Sequence, residues 1–109
     1  MTKIVFHKRG EDFVRIVSEG HAGYAQSGED IVCAALSALV QGAALGVLKV
    51  VGVKAEYRVN EEKGSLDLVI PREIGAQERH DCNVILETLY ASVTDLREGY
   101  SEYIEVEVK

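Results

Sequence analysis

Between Ile31 and Leu48 only Ser37 and Gln41 interrupt an apolar run, and no other segment constrains the fold as strongly. A helix apolar on nearly every side must bury more than one face, against a sheet and also against a second helix or subunit. The run approaches the length of a membrane span, which takes about 18 or more apolar residues. Its Ala- and Gly-rich makeup, the acids Glu29 and Asp30 at its start and the amphipathic segments around it favour a buried helix of a globular domain instead. Ala34, Ala38, Gly42 and Gly46 fall four apart. Such a stripe of small side chains lets another backbone approach closely, inside the domain or across the two-fold axis of a homodimer.

The flanking segments alternate. Lys3–Arg9 and Asp12–Glu19, joined at Gly10-Glu11, read as a β-hairpin, with Ile4 and Phe6 sharing one face and Phe13 and Val17 sharing one face. The first helix is expected from about Asp30 to Val50. Val53, Ala55, Tyr57 and Val59 alternate with charged residues as a third strand, and Leu66, Leu68 and Ile70 form a fourth that Pro71 ends. Cys82, Ile85, Leu86, Leu89, Val93 and Leu96 follow helical spacing within about Ala76 to Glu98, and Ile104, Val106 and Val108 make a closing strand. The expected order is ββαββαβ: an α+β fold with a largely antiparallel sheet and two helices packed on it.

At 109 residues, 47% apolar and 28% charged, the chain has room for one real core and is read as a single domain over residues 1–109. Its formal net charge of −6 argues against direct nucleic-acid contact and suits a basic partner. The two cysteines form no CxxC or zinc-type ligand set, and His80 and Cys82 point in different directions on a helix. No metal or cofactor is expected. The opening MTKIVFHKRG lacks the apolar core of a signal peptide, so a cytoplasmic location with reduced thiols and no membrane is expected.

One stretch gathers chemistry: GHAGYAQSGEDIVCAALSAL, residues 20–39. Cys33 is expected in the first turn of the helix, whether Ser27 or Asp30 caps it, where unpaired N–H groups and the helix dipole can favour a thiolate. His21 follows the second strand on a loop punctuated by Gly20, Gly23 and Gly28, so the chain could fold back to the sulfur as a base. From composition alone, core packing explains Cys33 better, because cysteine is among the most buried residues. The helix start, the Gly-spaced loop and a polar row of Ser37 and Gln41 below the sulfur point the other way. Asp30 reads chiefly as a cap, the alternative being that it orients His21 or contacts a basic substrate residue. Tyr24 is either a substrate-stacking residue or an exposed aromatic. Cys82 reads as core.

These residues carry a family resemblance. GHA where the loop begins and DIVCAALSAL at the helix closely resemble the ribosomal-processing cysteine protease family, and the element order agrees over essentially the whole chain. The resemblance implies a cytosolic bacterial endopeptidase that removes a short N-terminal extension from large-subunit ribosomal protein twenty-seven during ribosome assembly. The family's catalytic pair matches Cys33 and His21, and its motif Asp and Ser match Asp30 and Ser37. Gly20 and Tyr24 join these as supporting or substrate-binding candidates, while Gly23 stands where relatives often carry a polar residue. The resemblance further implies a homodimer and a substrate cut after paired aromatics, and the Gly-rich loop is expected to close over that substrate. Two other readings compete: a non-catalytic ribosome-associated binding module, and a redox-sensing thiol.

Overall fold

The computed structural model describes residues 1–20 and 27–109, with side chains of the first helix from Ile31 onward. Strand β1 (Thr2–Arg9) turns at Gly10, whose φ of +63° suits glycine, into antiparallel β2 (Asp12–Glu19). Helix α1 (Ser27–Leu45) runs on into a π-helical segment, Gly46–Val51. Strands β3 (Glu56–Asn60) and β4 (Ser65–Val69) form a second antiparallel pair, followed by α2 (Ala76–Gly99) and β5 (Ile104–Val108). The five strands lie in the order β3-β4-β2-β1-β5, and only the β1–β5 pairing is parallel. The expected ββαββαβ order and α+β class are what the chain adopts.

Local chemistry explains the boundaries. At Gly52, with φ +84°, the chain leaves the helical path, and its amide closes on the Val47 carbonyl. Glu78 reaches back to accept from the Gly75 amide at 2.9 Å and opens α2. The third strand begins at Glu56, later than alternation suggested, because the backbone from Gly52 to Ala55 is spent on the turn out of the helix. Val59 remains half exposed because β3 is an edge strand.

One hairpin assignment changes. Phe6 pairs with Ile16 but Lys8 with Phe13, so Val14 is an extra residue on β2. This bulge inverts the alternation. Phe13 and Ile16, rather than Phe13 and Val17, face inward.

Both helices cover one face of the sheet. Ile4, Phe6, Phe13, Ile16, Leu66, Leu68 and Ile104 meet Val32, Leu36, Val40, Ala44 and Val47 from the first helix, and Cys82, Leu86, Leu89 and Val93 from α2. Phe6 is held edge-on by Phe13 and Tyr90, with ring centroids 5.9 and 5.2 Å away. The apolar run thus buries one face on the sheet and abuts α2, where Gly46 makes room for Ile85. Its remaining side stays open within one chain: Ile31 and Val50 are 65% and 83% exposed. The opposite face of the sheet is polar, with a Lys3–Glu107 ion pair at 3.1 Å and a two-point Arg15–Asp67 pair.

Candidate active site

The inner face of the sheet changes chemistry at one end. Along β1 the inward positions run Phe6, Ile4, Thr2, and along β2 they run Ile16, Ser18. Apolar side chains thus give way to two hydroxyls, each only 3% exposed, at the start of β1 and the end of β2. Over this end lies the N-terminal half of α1. It presents Cys33, partly exposed, and Ser37 one turn further on. Together with Gly20, Ala34 and Gly64, these residues line a cavity of about 250 Å³.

The sulfur is held closely. Thr2 Oγ1 lies 2.7 Å from Cys33 Sγ in a hydrogen bond that either group can donate. Gly20 borders both: a Cβ there would stand 3.0 Å from Thr2 Oγ1 and 3.2 Å from Cys33 Sγ. Its amide donates to the Gly64 carbonyl at 2.9 Å, joining the end of β2 to the β3–β4 turn. A second groove of about 330 Å³ shares Gly20 and is lined by Met1, Lys3, Glu19, Lys63 and Ser65, so charge of both signs borders the cavity.

The helix start differs from the expectation. Because α1 begins at Ser27, Asp30 lies within the first turn rather than capping it, and Cys33 falls in the second turn. The unpaired N–H groups and most of the dipole effect belong to the first turn, so they do not single out Cys33. The Thr2 hydroxyl supplies the local polar contact instead. Of the sequence candidates, the structure brings together Cys33, Ser37 and Gly20. Gln41 is exposed and takes no part in the cavity. His21, Tyr24 and the Gly-spaced loop lie outside the described residues, as does the side chain of Asp30.

Thr2, Ser18 and Gly64 were missed. A signal existed for the first two, each a hydroxyl at an inward strand position that alternation reserves for apolar residues. Cys82 is core, as expected: it is fully buried, and burial pushes its thiol up from the ordinary value. Among the described residues no group of three or more His, Cys, Asp or Glu side chains could hold a metal ion.

The comparisons with known proteins agree on one family. The family model for cysteine protease Prp matches residues 1–105. The ribosomal processing cysteine protease Prp of Bacillus subtilis is 26% identical over 87 residues, covering 80% of this chain and 78% of that protein. The Staphylococcus aureus protein of the same name is 24% identical over 94 residues, covering 86% and 85%. Among solved structures, S. aureus Prp in complex with a substrate peptide superposes with a TM-score of 0.87 at 21% identity over the whole of both chains. A Streptococcus mutans protein gives 0.85 at 22% identity, covering 99% of this chain and 93% of that one.

Proposed function

Because the chain belongs to the cysteine protease Prp family, and is therefore a cysteine peptidase, we propose that it is an endopeptidase of ribosomal processing. Its substrate in this reading is the N-terminal extension of large-subunit ribosomal protein twenty-seven. One observation carries the assignment: a partly exposed thiol, Cys33, on the wall of a hydroxyl-lined cavity.

Cys33 is the nucleophile and His21 the general base. His21 takes the thiol proton, the thiolate attacks the scissile carbonyl, and His21 returns the proton to the leaving amine. Water then hydrolyses the thioester. Support for His21 comes from the chain itself, since it directly follows Gly20, and Gly20 borders the sulfur. Ser37 lines the cavity, Asp30 is assigned a supporting role by family resemblance, and Tyr24 is kept as a substrate-stacking candidate. The acidic chain suits a substrate with a basic tail.

The enzyme acts in the cytoplasm as a homodimer. The open apolar side of the first helix, with Ile31, Leu45 and Val50, supports the dimer, as does exposed Val84 on α2. Ala38 and Gly42 of the small-residue stripe border a groove of about 340 Å³ between the two helices. A clean monomer by sedimentation at high micromolar concentration would rule the dimer out.

The test incubates the protein with a peptide spanning the extension and finds the cut by mass. Cleavage is expected from the wild type and is abolished in Cys33→Ala and His21→Ala. A wild-type protein that binds the peptide without cutting it would be the non-catalytic module instead. Undiminished cleavage in either variant would remove that residue from its role.

A further inference from the structure

We propose that Thr2 is a positioning residue for Cys33, its hydroxyl donating a hydrogen bond that stabilises the sulfur in its ionised form. The inference rests on the reading of Cys33 as nucleophile. Thr2 and Cys33 are 31 positions apart, yet their Oγ1 and Sγ atoms are 2.7 Å apart. Sheet pairing delivers the hydroxyl to this point. The Thr2 amide donates to the Tyr103 carbonyl at 2.8 Å, and Thr2 pairs with Ile104 across the parallel β1–β5 ladder.

The side chain also lies close beside the end of β2. A Cβ at Gly20 would meet both branches of Thr2, Oγ1 at 3.0 Å and Cγ2 at 3.3 Å, so the end of β2 flanks the rotor on which the hydroxyl sits. β-branching stiffens that rotor.

The chemistry then has a fixed sense. A neutral thiol can donate or accept here, but a thiolate has no proton and can only accept. A hydrogen bond made to the charged form favours it. No proton passes to or from Thr2: the sulfur's proton leaves to the base, and the hydroxyl keeps its own. Apart from the thiol, the described cavity wall carries no ionisable side chain, its other members being Thr2, Ser18, Ser37, Ala34 and two glycines. Among the described residues, charged groups enter only from the adjoining groove, which brings Lys3 and Glu19 from the strands, Lys63 from the turn, and Met1.

The test follows alkylation of Cys33 against pH in the full chain, locating the label by peptide mass so that Cys82 does not contribute. Thr2→Val keeps the shape and removes the hydroxyl. Its midpoint is expected to move up by about one pH unit, which makes alkylation about tenfold slower well below the midpoint. Thr2→Ser restores the hydroxyl and returns the midpoint toward that of the wild type. Equal midpoints in wild type and Thr2→Val, or the same rise in Thr2→Ser, would overturn the proposal. If valine disturbs the fold, Thr2→Ala against Thr2→Ser makes the same comparison. Peptide cleavage by the wild type is read separately. A midpoint rise without cleavage supports the Thr2 contact and refutes the protease reading; cleavage with no rise does the reverse.

Discussion

The backbones of Gly20 and Gly64 meet directly. The Gly20 amide donates to the Gly64 carbonyl at 2.9 Å, and a Cβ at Gly64 would run into the Gly20 carbonyl oxygen. This contact joins the β3–β4 turn to the end of β2 and closes one side of the cavity that holds Cys33. A side chain at Gly64 would force the two segments apart.

Substitutions at two turn glycines separate conformation from contact. Gly10 and Gly64 have nearly equal φ, +63° and +62°, but open space surrounds Gly10. Gly10→Ala should cost about 1 kcal/mol from backbone strain alone. Gly64→Ala adds the collision with Gly20 and should cost about 2–3 kcal/mol. Urea unfolding of the two variants makes the comparison, and equal losses would mean that the Gly20 contact is unimportant.

Gly20→Ala places a methyl group against both Thr2 Oγ1 and Cys33 Sγ. Moving the sulfur by a few tenths of an ångström should slow peptide cleavage by about tenfold to a hundredfold. Overpacking of this kind costs about 1–3 kcal/mol, so a folded protein is expected. Cleavage kinetics beside a circular-dichroism melt would show whether activity falls further than stability.

The two thiols should differ sharply in reactivity. Cys33 is partly exposed, whereas Cys82 is fully buried with its thiol pushed up by burial. Iodoacetamide at neutral pH should label Cys33 in the folded protein and reach Cys82 only after unfolding. Cys82→Ser, which buries a hydroxyl in an apolar site, should cost about 1–3 kcal/mol. Labelling of Cys33 no faster than Cys82 would contradict the accessible nucleophile.

Acid stability should depend on Asp67. Arg15 donates Nε and Nη2 to its carboxylate at 2.9 and 2.6 Å and holds that carboxyl below its ordinary value of 3.8. The folded state therefore binds this proton less readily than the unfolded one. The pair's contribution is fully present above the unfolded value and is lost as pH falls through the folded value. Lying on the partly exposed sheet face, the pair is worth about 0.5–1 kcal/mol. Asp67→Asn should be less stable than wild type by that amount at neutral pH, and the gap should close as pH falls below the ordinary carboxylate range. A gap unchanged across that range in denaturant titrations would show that the pair is not its source.

Much of the fold follows from local pattern. Alternation and helical spacing depend only on neighbours along the chain, so the element order, the long α2 stripe and the burial of Cys82 were legible before any coordinates. The same reasoning failed where an extra residue entered the pattern. The bulge at Val14 turned Ile16 inward in place of Val17. It failed again at the helix start, where an acid in the first turn looks much like a cap.

The site divides along the same line. That Cys33 stands near a helix start, twelve positions after His21 and beyond a glycine-spaced stretch, is a statement about sequence distance, and the residues alone made it. That Thr2 touches the sulfur, that Ser18 shares its cavity, and that Gly64 braces Gly20 depend on strand order and register. A hydroxyl two residues into the chain meets a thiol on a distant helix only because parallel β1–β5 pairing and the β1–β2 register carry it there. Non-local contacts of this kind are set by how whole elements fit together, and tertiary structure alone decides them.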